Sequence, residues 1–339
     1  MDSRGEGGLG GETKNGGTGG SNAGSGAATQ LDLLFVVDNS SMNDSEQEAL
    51  AKAIPNFLAK LKAFAGGVDI YAAVVTTDVG AGMASGCTSG PFGDRGAFMN
   101  ASPCGVKTDA FARIGPDAKG KNFEASASTV VSCLVKVGSK GCGYEQPLRA
   151  AELAFEERAN PGLAGFRRPG ARLGLLIVTT EDDCSAKDPD PFYGAPTPTG
   201  QAPSLRCSRA GHACGGALVP GTTFNVPLAS CTAVADKALE LLNIDEVHSR
   251  FQLAAGAGVL RLAVLAGWPV NDSAARYEIA DRGMGLDLQP ACTSASGSAT
   301  PAIHLRELAL KAGKTGHFET LCADDWAGPL ERVAQFMLD

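Results

Sequence analysis

Leu31-Asp32-Leu33-Leu34-Phe35-Val36-Val37-Asp38-Asn39-Ser40-Ser41 is the stretch on which the fold turns. Residues 31–37 are an apolar run broken by a single acid, the pattern of a strand buried on both faces of a parallel sheet. The run ends in four polar residues. Beyond them Leu50, Ile54, Phe57, Leu58, Leu61 and Phe64 repeat at helical spacing, with Asn43, Asp44 or Ser45 able to cap the start. Pro55 falls inside this helix and predicts a kink, and Gly66-Gly67 ends it. Val68–Thr76 reads as a second strand, so the chain opens with a strand–helix–strand unit.

The same alternation continues. Helical patterns cover Ala125–Val137, Tyr144 to about Arg158, Asp245–Ala255, Ile303–Ala312 and Trp326–Met337. Strand patterns cover Leu173–Thr179, Leu260–Leu265 and His317–Thr320. Buried strands alternating with amphipathic helices predict an α/β fold: a doubly wound, mainly parallel, Rossmann-like sheet flanked by helices, with cysteine-rich loop insertions. Residues 1–29 contain eleven glycines and read as a Gly/Ser-rich flexible tether. Residues 30–339 read as one domain, with insertions near 78–122, 186–225 and 268–300 that lack the periodic apolar sequence of a separate core.

The 339 residues are 44% hydrophobic, enough for a sizeable core, and the formal net charge of −8 with no Lys/Arg cluster excludes a nucleic-acid surface. Ten cysteines, none in Cys-x-x-Cys spacing, lie mostly in loops and at element ends: Cys87, Cys104, Cys133, Cys142, Cys184, Cys207, Cys214, Cys231, Cys292 and Cys322. Their even number and placement predict a disulfide framework formed outside the cytoplasm, at the cell surface, in the periplasm or after secretion. Proximity suggests Cys87–Cys104, Cys133–Cys142 and Cys292–Cys322, with the other four pairing among themselves. His212 beside Cys207 and Cys214 leaves a zinc site as the alternative. No apolar run of about 18 residues suggests a transmembrane segment. The opening residues lack a basic and apolar leader, so the tether is expected to follow a processed or lipid-anchored N-terminus.

On doubly wound sheets, ligands bind beyond the carboxyl ends of the strands, where strand order reverses. Three polar turns are expected there: Asp38–Ser41, the loop with Ser139, and Thr180–Asp183. Carboxylate and hydroxyl oxygens converging from separate turns suit a hard divalent cation. The competing reading is structural. Asp38 and Ser40 can satisfy orphan N–H groups of the first helix, and Glu181-Asp182-Asp183 can be a solvated loop or a helix cap.

Phe35-Val36-Val37-Asp38-Asn39-Ser40-Ser41-Met42 with Glu46-Gln47, Val74–Gly80, Gly141-Cys142-Gly143-Tyr144-Glu145-Gln146-Pro147-Leu148, Glu181–Ser185 and Cys292–Ser298 followed by Pro301 together resemble a von Willebrand factor type A domain. The likeness is to a cysteine-rich branch of exported bacterial proteins and covers about residues 31–338. It implies a metal-ion-dependent adhesion site, with the pattern Asp-x-Ser-x-Ser, a Thr from a second loop and a later Asp. Asp38 and Ser40 match that pattern. The second serine position falls on Met42, with Ser41 as the substitute if the turn shifts. The second-loop position falls on Ser139, and the later Asp falls on Thr180, with Asp182 two residues on. The resemblance implies Mg²⁺, with Mn²⁺ or Ca²⁺ as substitutes, and a protein ligand whose carboxylate completes the ion's open position. The function expected is an extracytoplasmic binding and adhesion module rather than an enzyme. The alternatives are a metal-free structural surface domain and a metal-dependent phosphoester hydrolase. Against the hydrolase, the first motif offers one Asp rather than an Asp-x-Asp pair, no Gly-x-Ser-x-Gly elbow occurs, and His212, His248, His304 and His317 have no recognisable partner spacing.

Overall fold

The computed structural model describes residues 29–40, 44–82, 87, 93–115, 120–202, 204–234, 240–270, 275–281, 283 and 285–339. The run that opens the sequence becomes strand β1 (Thr29–Val37), with every residue from Leu31 to Val37 buried. It pairs in parallel with β2 (Val68–Thr76) on one side and with β4 (Arg172–Val178) on the other. Beyond β4 lie β5 (Leu260–Ala266) and β6 (Gly316–Thr320), both parallel; beyond β2 lies β3 (Ala112–Ile114), antiparallel. The order β6-β5-β4-β1-β2-β3 reverses between β1 and β4, the doubly wound arrangement expected. Val37 stands opposite both Thr76 and Val178, so the three central strands end together at the carboxyl edge.

Both faces of the sheet are covered, and side-chain alternation along β1 divides the core. Leu31, Leu33, Phe35 and Val37 pack towards α1 (Asp44–Lys62), α2 (Ala127–Leu134) and α6 (Ala327–Leu338), against residues such as Ile54, Phe57, Val131 and Met337. Leu34 and Val36 pack towards α3 (Pro147–Ala154), α4 (Ile244–Ala255) and α5 (Ile303–Lys311), against Leu148, Phe251 and Leu305. Gly174 on β4 makes room for this packing. A Cβ there would sit 2.9 Å from Met337 Sδ and 3.1 Å from Leu33 Cδ1.

Two polar features inside these elements are satisfied locally. Asp32, the one acid in β1, is fully buried and accepts from Arg167 Nη1 at 2.6 Å, from Arg168 N at 2.8 Å and from Arg168 Nε at 2.7 Å. Helix α1 runs as one element through Pro55. A proline cannot bond the carbonyl four residues back, and here the Ala51 carbonyl instead accepts from Ser132 Oγ of α2 at 2.7 Å.

The insertions differ from expectation in two ways. The segment 78–122, expected to be loop, supplies the edge strand β3. The second and third insertions form one lobe: Phe224–Pro227 pairs antiparallel with Arg276–Asp281, which pairs with Leu286–Leu288. That lobe has its own small core of Leu205, Val219, Leu228, Trp268, Tyr277, Ile279 and Leu288.

All ten cysteines form disulfides: Cys87–Cys142, Cys104–Cys133, Cys184–Cys207, Cys214–Cys231 and Cys292–Cys322. Cys292–Cys322 and the grouping of the middle four agree with the sequence reading. The pairs Cys87–Cys104 and Cys133–Cys142 do not form. Cys87 bridges with Cys142 as an isolated antiparallel partner, while the short helix ending at Cys104 packs on α2. The zinc alternative is overturned as well, because Cys207 and Cys214 are each bonded to another cysteine. No helix among the described residues is long and apolar enough to cross a membrane.

Candidate functional site

Asp38 follows β1 directly, and its amide donates to the Val178 carbonyl at 3.0 Å, which seats it between the ends of β1 and β4. Its side chain is buried. Oδ1 accepts from Ser40 N at 2.9 Å; Oδ2 accepts from Thr179 Oγ1 at 3.0 Å, Thr180 N at 3.2 Å and Thr180 Oγ1 at 3.3 Å. The structure therefore gathers Asp38, Ser40 and Thr180 at the point where strand order reverses. Ser41 and Met42 lie outside the described residues.

The second loop reaches this turn through other residues than the one expected. Ser139 is half-buried, and its hydroxyl donates to Asp44 at 3.4 Å, at the start of α1. Contact with the turn is made by Gly141, whose amide donates to the Asn39 carbonyl at 2.7 Å. A Cβ on Gly141 would fall 2.3 Å from Asn39 Oδ1, so only glycine permits this approach. Gln47 of α1 clamps the same junction: Nε2 donates to Asp38 O at 2.9 Å and to Gly138 O at 2.7 Å, while Oε1 accepts from Gly138 N at 3.0 Å.

The acidic run after β4 divides three ways. Asp182, a predicted ligand, is turned to the start of α5. Its Oδ1 accepts from Asp183 N at 2.9 Å and from Leu305 N at 3.0 Å; its Oδ2 accepts from His304 N at 2.6 Å and pairs with His212 Nε2 at 2.6 Å. Burial pushes its carboxyl up, but His212 and the His304 amide outweigh this and hold it below the usual range. A carboxylate at a helix N-terminus is favoured by the aligned amides, so Asp182 takes the cap role rather than the ligand role. His212 in turn meets the Tyr277 hydroxyl at 2.8 Å and so joins the lobe to the sheet. Asp183 does the same for α3, accepting from Leu148 N at 3.1 Å.

Glu181 takes a third direction, towards Glu145. Glu145 donates a carboxyl hydrogen bond to Glu181. Burial, then the charges of Glu181 and Asp38, push the Glu145 carboxyl well above its ordinary range. Burial and the Asp38 charge push Glu181 up to about 7, against the pull of the Glu145 hydrogen bond. In the sequence Glu181 stands only as part of the acidic Thr180–Asp183 turn, and Glu145 and Gln47 carry no individual role. Their signal was present only as an acid or amide beside a motif. Glu46 belongs to the same neighbourhood: burial, with Asp38 and Asp44 nearby, raises its carboxyl.

The fit of this turn to an oxygen-ligated ion is partial. Asp38, Ser40 and Thr180 converge, while Ser139 and Asp182 face other partners. Among the described residues no group of three or more His, Cys, Asp or Glu side chains is arranged to hold a metal.

No protein-family model matches the chain, and no curated protein matches it. Among solved structures, the pilus adhesin SpaC from Lactobacillus rhamnosus GG in its open conformation aligns at 9% identity with a TM-score of 0.37, over 92% of this chain and 30% of that one. Another form of the same adhesin aligns at 11% identity and a TM-score of 0.35, over 92% and 31%. The chain spans less than a third of the length of those adhesins. Overlap this low identifies no family and assigns no activity.

Proposed function

We propose that this chain is a von Willebrand factor A-like binding module that works outside the cytoplasm and recognises a protein partner at the carboxyl-end face of its sheet. The observation that carries the reading is the position of Asp38. It lies at the reversal of strand order, joined to Ser40 and Thr180 within 3.3 Å, where doubly wound sheets bind their ligands. Five disulfides support an oxidising compartment.

In this reading Asp38, Ser40 and Thr180 hold a Mg²⁺ ion that keeps several waters, as that ion commonly does. The bound ion would supply an open position for a partner's carboxylate. The chain's own part is to fix the oxygens: β1 and β4 set Asp38 and Thr180, and Gln47 and Gly141 hold the second loop against them.

The test follows thermal unfolding with Mg²⁺, with Mn²⁺ and with chelator, in the native chain and in Asp38→Ala. A ligand that binds only the folded state raises the midpoint by mass action, so the native midpoint rises with the ion and that of Asp38→Ala does not. A native midpoint indifferent to both ions sinks the metal-assisted form of the proposal. One observation favours the metal-free surface domain as second reading: both Asp38 oxygens already accept from protein donors.

A further inference from the structure

In the second insertion, the short helix Leu205–Gly211 lines an open cavity of about 180 Å³. Phe192, Pro196 and Pro198 give it an apolar side, and Arg206 and Arg209, three residues apart on the helix, give it a charged one. One water needs about 10–15 Å³ of such space, so the cavity has room for a small organic molecule. None of its walls belongs to the Asp38 turn or to the acidic run after β4.

Two observations separate these arginines from an ordinary solvated pair. The first is how little of their hydrogen bonding the protein uses. Arg206 donates to the carbonyls of Phe192 and Ala195, and Arg209 donates through Nη1 to Gln201 Oε1 at 3.3 Å. All three acceptors are neutral, so two positive charges share one wall with no carboxylate paired to either among the described residues. Arg209 Nε is buried without an acceptor, and a buried donor in that state calls for a bound group. The second observation is that the Arg209 fork is held in place. A Cβ on Gly221 would fall 3.0 Å from Arg209 Cζ and 3.1 Å from Gln201 Nε2, so the bare glycine makes room for both. Gln201 Nε2 in turn donates to the Gly221 carbonyl at 2.9 Å. Between the arginines, Cys207 anchors the helix to Cys184.

We infer that this cavity binds a small organic acid carrying one carboxylate. The carboxylate meets the Arg209 guanidinium, whose planar fork matches two oxygens at once. Arg206 adds charge beside it, and the apolar body of the acid lies against Phe192 and the prolines. A fork fixed before the ligand arrives loses less freedom on binding. Glu240 lines the same cavity, and its carboxylate disfavours a ligand with more than one negative charge, so a monocarboxylate is preferred to phosphate. The site is independent of whether the Asp38 turn takes a metal.

The test is calorimetric titration of the full chain with benzoate and, separately, with inorganic phosphate, in buffer free of other carboxylates. It is run on the native chain, Arg209→Gln, Arg209→Lys, Glu240→Gln and Asp38→Ala, each checked for native circular dichroism. The native chain is expected to bind one benzoate, and Arg209→Gln to weaken it by about tenfold or more through loss of a charge-assisted pair. Arg209→Lys keeps the charge without the fork and recovers only part of the affinity. Glu240→Gln tightens both titrants, phosphate more than benzoate, and Asp38→Ala changes neither, which separates this site from the adhesion-site reading. Benzoate binding that Arg209→Gln and Arg209→Lys both leave unchanged overturns the inference, as does no saturable binding by the native chain at about 10 mM benzoate, a concentration at which even millimolar affinity is visible. Phosphate binding more tightly than benzoate to the native chain overturns the choice of a monocarboxylate.

Discussion

At the residue scale, the candidate face is built by close approaches between single groups. Gly141 lets the second loop press against Asn39. Gly141→Ala is expected to cost about 1–3 kcal/mol through the overlap at Asn39, read as a lower urea midpoint with an unchanged slope. Glu145 and Glu181 make a second prediction. Both have folded pKa values above the ordinary glutamate value of about 4.3, with Glu181 up to about 7. The folded chain therefore holds more protons than the unfolded chain between those values, and stability falls as pH rises through that window. In chelator, the urea midpoint should be higher at pH 5 than at pH 8, and Glu145→Gln should flatten the difference. A midpoint that rises with pH over this range contradicts the burial-driven shift.

At the element scale, two buried pairings hold the first strand and the first helix in place. Arg168 bonds Asp32 and Asp69 at 2.7 Å each, and its guanidinium lies 3.7 Å from the centre of the Tyr71 ring. Arg168→Ala removes the side-chain donor to Asp32 Oδ1 and the pair with Asp69, leaving Asp32 its bonds from Arg167 and the residue-168 amide, and a loss of about 1.5–3 kcal/mol follows, measurable by chemical denaturation. Ser132→Ala leaves the Ala51 carbonyl without its donor, and a smaller loss of about 1 kcal/mol is expected. The regular elements were legible in sequence because their periods are strong. Val68–Thr76 appears with the same bounds, and Leu260–Leu265 is extended only by Ala266. β3 was not legible: Ala112-Arg113-Ile114 is too short for alternation to register, and only pairing to β2 makes it a strand. That Ser132, 81 residues away, would serve the carbonyl that Pro55 leaves open was likewise not legible.

At the scale of the whole molecule, covalent links tie the insertions to the sheet. Peptide mapping without reduction should recover Cys87 with Cys142 and Cys104 with Cys133; recovery of Cys87 with Cys104 contradicts the fold at the second loop. Removing the Cys87–Cys142 bridge by paired serine substitution should cost about 2–4 kcal/mol. Sequence proximity misassigned these four because chain neighbours are divided between two places, the second loop and α2. The candidate site was legible in part for the same reason. Asp38 and Ser40 belong to one turn and could be read together, and the end of β4 brings Thr180 to them. Ser139 and Asp182 sit at the right sequence positions but are drawn off by Asp44, His212 and the amides of α5, partners that only the folded chain brings near.

The shared sheet of the second and third insertions has a consequence for how the molecule comes into being. Phe224–Pro227 must wait for Arg276–Asp281, and α4 and β5 lie between them in the chain. A chain emerging N-terminus first through a secretion channel would thus expose an unpaired strand edge until some fifty more residues had followed. Unpaired edges recruit other strands, so the interval is one in which crowded neighbours can associate wrongly. Folding yield, rather than the stability of the finished protein, is where slow export or a stop after Ala266 would be felt first.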